Sequence, residues 1–262
     1  MITSTSNPRI RQLIALQEKA KKRREENCFL AEGIKMLREA PESWIREIYL
    51  TNEALYKLQK EEAETFQKIN RTGYELLSDE VMKRASDTQT PQGVITVLDR
   101  PSYEPDELLA DSEGTFLLLE NLQDPGNLGT IVRTGEGAGV RGIIMTADTV
   151  DIFNPKTIRS TMGSVYRVPF IYVETLTEVV EKMKEKNIPV YAAHLKGQKN
   201  YYEFDYRKGC AFLIGNEGNG VKKETADLAD DYLKIPMQGQ VESLNAAIAA
   251  SVLMYEAYRQ RS

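Results

Sequence analysis

Residues 115–129 read TFLLLENLQDPGNLG, which predicts a strand, a turn and the start of a helix. The first five residues are a threonine and four large apolar residues, as expected of a strand that is covered on both faces of a sheet. The run from Asp124 to Gly126 is a turn signal, and Asn127 is the predicted N-cap of the following helix. Ligands of such sheets bind beyond the carboxyl ends of the strands, so a site is expected in the segments that follow them.

The alternation of apolar strands and helical segments continues to the end of the chain. Short strands are predicted at residues 115–119, 142–145, 188–193, 210–214 and 232–235. The alternation predicts an α/β domain over residues 113–262, with a mostly parallel sheet and helices on both faces.

A smaller α/β domain is predicted in front, over residues 1–98. Its first helix begins at Asn7 and Pro8, with asparagine as N-cap and proline at the first helical position, and runs toward Arg24. Strands at 28–30, 45–50 and 93–98 alternate with helices around 34–39 and 54–68. Two prolines within five residues mark residues 99–112 as a linker.

Composition excludes several classes of protein. The longest uncharged stretch, residues 243–255, is shorter than the roughly 18 apolar residues that a membrane span needs. The first residues lack the pattern of a secretory signal, so we expect a cytoplasmic protein without membrane association. Two cysteines, Cys28 and Cys210, and one histidine, His194, can supply neither a disulfide framework nor a four-ligand zinc site. We expect chemistry without a metal.

Charge is unevenly distributed along the chain. The net charge is -5, yet residues 1–38 carry nine lysines and arginines against four glutamates, a local net charge of +5. A bound polyanion is therefore expected to meet this end first. The basic residues are Arg9, Arg11, Lys19, Lys21, Lys22, Arg23, Arg24, Lys35 and Arg38. The alternative is a solvated helix on which these side chains form only the polar face.

The helix that follows residue 127 carries a candidate functional cation. Its apolar positions share one face at helical spacing, namely Leu128, Ile131, Val132 and Ala138, which leaves Arg133 pointing away from the core. Gly135 and Gly137 each cost a helix about 1 kcal/mol relative to alanine, which indicates close backbone approach by a ligand or another chain. The alternative is an exposed pair between Arg133 and Glu136, with the glycines ending the helix early.

Two later segments have the composition of ligand-binding loops. Residues 212–220 read FLIGNEGNG, a strand that runs into glycines whose backbone groups can contact a small polar ligand. This spacing differs from the Gly-x-Gly-x-x-Gly fingerprint of dinucleotide-binding sheets, and taken alone it fits a tight loop equally well. Residues 235–245 read IPMQGQVESLN and lead into an alanine-rich helix, for which Ser243 is the predicted N-cap. The small residues of that helix permit close packing, in the core or against a second subunit.

Taken in order, three groups of residues closely resemble the motifs of the SpoU (TrmH) family of RNA ribose 2'-O-methyltransferases, in the SPOUT superfamily. They are Asn127-Leu128-Gly129 with Arg133, Gly215-Asn216-Glu217-Gly218, and Ile235-Pro236-Met237 with Ser243-Leu244-Asn245. Residues 154–156, 159–160, 163–164 and 167–169 resemble the middle segment of that family. Residues 1–98, with NPRIR at 7–11 and AEG at 31–33, resemble the RNA-binding domain that many members carry in front.

The resemblance implies a fold, an assembly and a cofactor. The C-terminal domain is expected to contain a deep trefoil knot and to form a homodimer, although chain connections normally avoid threading. S-adenosylmethionine is expected to sit in the knot, bound by Gly215, Ile235, Leu244, Met237, Ala192 and His194. We interpret His194 as a structural residue at the edge of that pocket and not as a catalyst.

The resemblance also implies roles for the remaining residues. Arg133 is the expected catalytic cation, oriented together with the substrate by Asn127, Glu217, Ser243 and Asn245. Because a guanidinium is not normally deprotonated in proteins, we expect charged Arg133 to stabilise the growing charge on the ribose oxygen, which leaves the proton acceptor unassigned.

RNA is the expected partner, and the protein is expected to bind it through its phosphates. The basic candidates for this contact are Arg9, Arg11, Lys21, Lys22, Arg23, Arg24 and Lys35. Ribosomal RNA is the first expectation and transfer RNA the second. A non-catalytic RNA-binding or assembly protein on the same fold, and a nucleotide-dependent oxidoreductase, are the alternatives from other classes.

Overall fold

A computed structural model describes all of residues 1–262, and these form two compact units. The first unit comprises Met1–Pro101 and Asp151–Tyr166, and the second comprises Ser102–Val150 and Arg167–Ser262. Residues 151–166 therefore belong structurally with the first unit, although the sequence places them inside the predicted C-terminal domain. No helix in the structure combines the length and the apolar character that crossing a membrane requires.

The first unit is built on a four-stranded mixed sheet, in the order β1-β4-β2-β3. The central β4 is antiparallel to β1 and β2, and β3 is parallel to β2. The strands are β1 (Cys28–Glu32), β2 (Ile45–Leu50), β3 (Glu75–Leu76) and β4 (Val94–Asp99). The helices are α1 (Pro8–Glu18), α2 (Ala20–Glu25), α3 (Ile34–Glu39), α4 (Asn52–Glu61), α5 (Ala63–Thr72), α6 (Asp79–Ala85) and, from the second segment, α9 (Pro155–Thr161). Short 3-10 turns lie at Glu42–Trp44 and Ser164–Tyr166.

Side-chain alternation along the strands gives this sheet two apolar faces. Tyr49 of β2 packs with Ile10 and Leu13 of α1, whereas its neighbour Ile48 packs with Leu58 of α4 on the opposite side. Helices therefore cover both faces of this sheet, a detail that goes beyond the predicted smaller α/β domain.

The first predicted helix is in fact two helices. Asn7 caps α1 as predicted, because its side chain accepts a hydrogen bond from the backbone N–H of Arg9. The chain then becomes extended at Lys19, with φ -120° and ψ 110°, before α2 begins. The break leaves carbonyls at the end of α1 without helical partners, and Arg23 Nη1 donates to those of Leu16 (2.8 Å) and Gln17 (3.1 Å).

Residues 151–166 are anchored in the first unit by polar and aromatic contacts. Arg23 and Asp151 form an ion pair with an Nη2–Oδ2 distance of 2.7 Å, and the Arg23 side chain is only 4% exposed. Phe153 packs on Phe29 of β1 with ring centroids 4.8 Å apart. The hydroxyl of Tyr166 donates to the backbone carbonyl of residue 36. No sequence signal at 151–166 indicated this association, because it depends on side chains far away in the chain.

The second unit contains a seven-stranded sheet in the order β7-β6-β5-β10-β8-β11-β9. All neighbouring strands in it are parallel, which confirms the predicted parallel α/β architecture. The strands are β5 (Thr115–Leu119), β6 (Val140–Thr146), β7 (Phe170–Val173), β8 (Val190–Ala193), β9 (Lys199–Asn200), β10 (Cys210–Ile214) and β11 (Asp231–Lys234). The helices are α7 (Pro105–Leu108), α8 (Pro125–Gly137), α10 (Thr177–Glu185), α11 (Lys223–Ala226) and α12 (Ala246–Arg261), and a 3-10 turn lies at Tyr201–Glu203. Strands β7 and β9 were not predicted.

The strand order reverses beside β5, and this reversal positions a site. From β5 the chain proceeds outward through β6 and β7, whereas β10 and β8 lie on the opposite side of β5. The segments that leave the carboxyl ends of β5 and β10 begin at this reversal, where ligands of open α/β sheets bind. Both strands are completely buried, which explains why every residue in them except Thr115 is apolar.

Part of the predicted linker, residues 99–112, is packed structure. Tyr103 contacts Phe170 edge-on with ring centroids 5.6 Å apart, and Leu108 and Leu109 are buried in the core of the second unit. The two prolines that suggested a linker are compatible with this arrangement, since Pro105 occupies the first turn of α7.

Candidate active site

Three segments meet at the carboxyl end of the parallel sheet: residues 120–127 after β5, 215–221 after β10 and 235–245 after β11. Glu120, which is 4% exposed, joins the first two. Its carboxylate accepts hydrogen bonds from the backbone N–H of Lys222, at 2.7 Å, and from the hydroxyl of Thr225. These contacts fix the β10 loop against the end of β5.

The β10 loop is tight, and its first glycine is required by that shape. Asn216 and Gly220 form a bridge through two backbone hydrogen bonds of 3.0 and 2.9 Å. A Cβ atom on Gly215 would lie closer than 3.0 Å to the backbone of Gly220 and Val221, a separation that real Cβ atoms essentially never show. The amide of Asn216 also donates to the carbonyl of Asn121, at 2.8 Å.

A cleft of about 650 Å³ opens between the β10 loop, the β11 loop and the end of β8. Five of the six predicted cofactor residues line it: Gly215, Ile235, Leu244, Met237 and His194. Ala192 does not, because its side chain is fully buried in the core, and the neighbouring Ala193 lines the cleft instead. Successive side chains of a strand point to opposite faces, so the choice between these two alanines depends on the register of β8.

The cleft also contains residues that the sequence interpretation missed. Leu195 and Asn200 both follow β8 and contribute to the wall, and Leu195 is 70% exposed. The rule that sites follow strand ends could have found Leu195, whereas Asn200 is brought in by the two-residue strand β9, which has no recognisable sequence signal.

A hydrogen-bonded network joins three of the five predicted catalytic residues. The amide of Asn127 donates to Glu217 Oε1 at 3.0 Å, and the amide of Asn245 donates to Asn127 Oδ1 at 3.0 Å. Glu217 also accepts from the backbone N–H groups of Gln123 (3.1 Å) and Asp124 (3.0 Å). Side chains that the sequence analysis predicted to be catalytic therefore hold the three segments of the site together.

Glu217 is anionic at neutral pH. Partial burial alone raises the pKa of this carboxyl, but the hydrogen bonds from Asn127 and from backbone amides of residues 123 and 124 outweigh it. The pKa of Glu217 is consequently lowered from its ordinary value. A carboxylate is an acceptor only, which matches the donors that surround it.

Two predicted helix caps are wrong, and the corrections explain the network. Asp124 caps α8, accepting from the N–H of Asn127 at 2.7 Å, because the helix already begins at Pro125. Asn245 caps α12 through the N–H of Ala247, so Ser243 lies in the preceding loop and lines the cleft. Asn127 is thereby released from capping, and its side chain is available to Glu217.

Arg133 is exposed on α8 and makes no hydrogen bond or ion pair. The alternative pair with Glu136 does not form, since Glu136 accepts from Arg167 instead, with an Nη2–Oε2 distance of 3.1 Å. Arg133 does not line the cofactor-sized cleft. It stands on the same helix as Asn127, six positions further along, with its guanidinium open to an incoming molecule.

Gly135 does not end α8, because the helix continues to Gly137, its last residue. Both glycines lie near side chains of α12. A Cβ on Gly135 would make ordinary contacts, at 3.4 Å with Val140 and at 3.7 Å with the sulfur of Met254, whereas one on Gly137 would lie 3.2 Å from the hydroxyl of Tyr255. The neighbours of these glycines are thus segments of the same chain, and the approach of a ligand or another chain stays a prediction.

The basic candidates of the first unit fall into three groups. Arg11 and Arg24 are exposed and have no partner. Exposed ion pairs hold four others, namely Arg9 with Glu75, Lys21 with Glu25, Lys22 with Glu26 and Lys35 with Glu39. Arg23 is buried against Asp151 and is not available to RNA, which corrects its prediction. Exposed pairs contribute little stability, so the paired side chains remain able to contact phosphates.

Neither cysteine nor any acidic or histidine cluster forms a metal site. No group of three or more His, Cys, Asp or Glu side chains is arranged to hold a metal ion. Cys28 and Cys210 are free and buried, and burial raises the pKa of the Cys210 thiol to about 11.

Comparisons with family models cover nearly the whole chain. The model described as the SpoU rRNA Methylase family matches residues 114–255, more than half of the chain. A model described as the MRM3-like substrate binding domain matches residues 7–96.

Relatives of known activity are similar over their full length. The 23S rRNA (guanosine(2553)-2'-O)-methyltransferase RlmP of Bacillus subtilis (strain 168) is 33% identical over 258 residues, covering 97% of this chain and 97% of that protein. The 23S rRNA (uridine(2479)-2'-O)-methyltransferase of Streptomyces viridochromogenes is 28% identical, covering 98% of this chain and 92% of that protein.

Solved structures show the same architecture. The AdoMet-bound rRNA methyltransferase from Sinorhizobium meliloti has a TM-score of 0.86 and 31% identity, covering 98% of this chain and 97% of that one. The SpoU methyltransferase AviRb from Streptomyces viridochromogenes, in complex with AdoMet, has a TM-score of 0.85 and 27% identity, covering 97% and 98% of the two chains.

Proposed function

The chain belongs to the SpoU rRNA methylase family, and from this we propose that it methylates a ribose 2'-hydroxyl of ribosomal RNA. The family that the sequence motifs predicted is thus confirmed. S-adenosylmethionine is the methyl donor, as the AdoMet-bound Sinorhizobium meliloti structure supports. The single structural observation that carries the proposal is the Glu217–Asn127–Asn245 network beside a cleft of small-molecule size.

The cleft suits the methyl donor in size and chemistry. Its volume of about 650 Å³ lies within the roughly 300–1,000 Å³ typical of small-molecule sites. Ile214, Ile235 and Leu244 offer apolar surface, while the tight β10 loop exposes backbone groups. Bound there, S-adenosylmethionine supplies an electrophilic methyl group on a sulfonium. We propose that the loops around this cleft form the deep trefoil knot that the resemblance implies.

Positioning and electrostatics are the contributions of the protein. Glu217 and Asn245 fix Asn127 at the start of α8, and Ser243, which lines the cleft, helps to orient the substrate. Arg133 has no protein partner to displace, so its guanidinium is free to stabilise negative charge that develops on the ribose 2'-oxygen. These roles of Arg133 and Ser243 are proposals.

A homodimer is supported by the last helix, which is apolar on more than one side. Leu253 and Met254 of α12 are buried, yet Ile248, Tyr255 and Tyr258 are 51%, 48% and 50% exposed. A helix that is apolar all round is normally buried, so we propose that a second copy of the chain covers the outer face.

Light scattering tests this assembly. Tyr255→Asp is expected to convert a dimer into a monomer, because it places a charge in the apolar interface. Tyr56→Asp, at a tyrosine of α4 that is 57% exposed, is the matched control and is expected to leave the mass unchanged. A dimeric Tyr255→Asp variant would count against the proposed face.

The first unit is proposed to bind the RNA. Arg9, Arg11, Lys21, Lys22, Arg24 and Lys35 are accessible for phosphate contacts, and Arg23 is not retained in this set. A location in the cytoplasm follows from the proposed ribosomal substrate.

Methyl transfer is tested with methyl-labelled S-adenosylmethionine and unmodified 23S rRNA made by transcription, with total transfer RNA as the competing substrate. We expect label in the 23S rRNA at a single 2'-O-methyl position that blocks alkaline cleavage. Label in transfer RNA alone would show that transfer RNA, and not ribosomal RNA, is the substrate. RNA binding without any label would favour a non-catalytic assembly protein.

A further inference from the structure

A second cleft lies in the first unit, among residues to which the catalytic chemistry gives no role. It has a volume of about 570 Å³ and opens between α3, the start of α4, helix α6 and residues 91–93. This volume can hold a nucleotide-sized ligand. The residues that matter for its chemistry are Ile34, Met82, Pro91, Gln92, Lys57, Lys83, Glu53 and Asp79.

One wall of this cleft is held in place by contacts from other elements. The side-chain carbonyl of Gln92 accepts a hydrogen bond from the N–H of Ile34 at 3.1 Å. Gly93 has a φ of +72°, and a Cβ there would lie closer than 3.0 Å to the hydroxyl of Thr51. The carboxylate of Glu32 accepts from the N–H of Asp87 at 2.6 Å and from the hydroxyl of Thr88 at 3.2 Å. The polar segment from residue 86 to 93 is therefore preorganised, which lowers the entropic cost of binding a ligand.

Unpaired cations distinguish this cleft from an ordinary surface depression. Arg38 in its lining is paired with Glu62 at 2.8 Å. Lys57 and Lys83, in contrast, make no ion pair or hydrogen bond and are exposed. Two unpaired ammonium groups at one cleft can each contact a phosphate of a nucleic-acid backbone.

The remaining lining groups fit a nucleobase. Ile34, Met82 and Pro91 provide apolar surface for the face of a base. Because the carbonyl of Gln92 is already engaged, its NH₂ group is the free donor of that amide. The carboxylates of Glu53 and Asp79 also lack partners, and they accept hydrogen bonds only. A base with an exocyclic amino group, namely adenine, cytosine or guanine, can satisfy them, whereas uracil cannot supply that group.

We propose that this cleft binds one unpaired nucleotide of the RNA substrate, with the base inside and the adjoining phosphates on Lys57 and Lys83. The inference rests on the proposed function, because it assigns one particular contact to the RNA substrate proposed there. Single-stranded nucleotides are the parts of RNA whose bases are open to recognition in this way. The cleft would select for an amino-bearing base through Glu53 and Asp79.

The phosphate contacts are tested in the full chain with Lys57→Ala/Lys83→Ala. The matched control is Lys60→Ala/Arg84→Ala, which removes the same charge from the same two regions outside the cleft lining. Binding of unmodified 23S rRNA is measured over a range of salt concentrations, together with methyl transfer. We expect about a tenfold rise in Kd and KM for the cleft variant, at unchanged kcat and unchanged affinity for S-adenosylmethionine. The slope of log K against log salt should fall by about 1.4, about 0.7 for each phosphate of a single strand.

Base selection is tested by competition with nine-nucleotide homopolymers of A, C and U. We expect oligo(A) and oligo(C) to compete about tenfold better than oligo(U) against wild type, in line with the cost of losing a good base contact. Glu53→Gln/Asp79→Asn should remove this preference. A preference that survives in this variant would overturn the assignment.

Equal weakening by the control pair, or wild-type binding by Lys57→Ala/Lys83→Ala, would overturn the phosphate assignment. The outcomes also separate this inference from the proposed function. If wild-type protein transfers no methyl group to 23S rRNA, the proposed function fails while the binding comparison still reports on the cleft. If wild-type protein transfers the methyl group and the Lys57→Ala/Lys83→Ala variant binds RNA with the same affinity as wild type, only the cleft assignment fails.

Discussion

The cleft of the first unit and the cleft of the second unit are similar in volume but are lined by different kinds of groups. The cleft of the second unit is lined by loops with glycine and proline that follow parallel strands, and side chains such as Glu217 hold those loops by hydrogen bonds. The cleft of the first unit is lined mainly by charged side chains on helices, including Lys57 and Lys83. The difference teaches that the shape of a loop-lined cleft depends on the backbone, whereas the charge that a helix-lined cleft presents depends on which side chains are left unpaired.

The largest effect should come from a basic residue that is structural. Arg23→Ala removes one partner of a buried ion pair with Asp151 and two hydrogen bonds to the end of α1. We expect a loss of about 3 kcal/mol in the free energy of unfolding, because an uncompensated charge stays behind. Arg24→Ala, at the neighbouring exposed arginine, is the control and should change stability by less than about 0.5 kcal/mol. Urea denaturation measures both, and equal midpoints would show that Arg23 is not a structural anchor.

Arg133→Ala should have the next largest effect, on the rate. We expect single-turnover methyl transfer to fall by about a hundredfold or more, the scale of losing one donor to a developing oxyanion, with binding of S-adenosylmethionine retained. Arg141→Ala, at an exposed arginine of the same unit, is the control. A wild-type rate in Arg133→Ala would exclude the proposed electrostatic role.

Gly215→Ala tests whether backbone shape defines the cofactor cleft. The added Cβ would collide with the backbone of residues 220 and 221, so we expect affinity for S-adenosylmethionine to fall by about tenfold, as about 1.4 kcal/mol of strain corresponds to a factor of ten. At Gly218 an added Cβ meets only the side-chain oxygen of Asn216 at 3.5 Å, an ordinary contact. Gly218→Ala should therefore bind normally in a calorimetric titration, and equal losses in both variants would contradict this view of the loop.

The smallest effect concerns pH. The pKa of Glu217 is lowered in the folded protein, so its contribution to loop stability is fully present above the ordinary carboxyl pKa of 4.5. That contribution is lost as the pH falls through the lowered folded value. Cofactor affinity should be independent of this group between pH 7 and 5 and should decline only below about pH 4.5. A Glu217→Gln variant with the same acid-limb profile as wild type would assign the decline to another group.

Much of the second unit could be predicted because its signals are local. The apolar runs of β5 and β10 match their predicted bounds, since a strand buried on both faces requires apolar side chains throughout. The rule that sites follow strand ends then located Gly215 and Glu217. Strands β7 and β9 were not predicted, because strands of four and two residues are too short to show a recognisable hydrophobic pattern.

The errors have three physical origins: a competing helix cap, an ion-pair partner distant in sequence, and the face on which a strand residue lies. Asn127 looked like a cap because asparagine favours that position, but Asp124 starts the helix three residues earlier and leaves Asn127 for Glu217. Arg23 looked like an RNA contact because it lies in a basic run, yet its carboxylate partner is 128 residues away. Ala192 and Ala193 differ only in the strand face on which they lie.

The amino-acid sequence by itself determined the parallel α/β architecture and the loops of the candidate site, because burial imposes a periodicity and turns require particular residues. It also indicated the family, through the resemblance of three motifs. Only the tertiary structure decided which polar groups form ion pairs or hydrogen bonds within the protein and which remain without a partner. It paired Arg23 with Asp151, attached residues 151–166 to the first unit and left Lys57, Lys83 and Arg133 without partners. Ion pairs and hydrogen bonds form between whichever side chains packing brings within about 3 Å, and separation along the chain does not limit that choice.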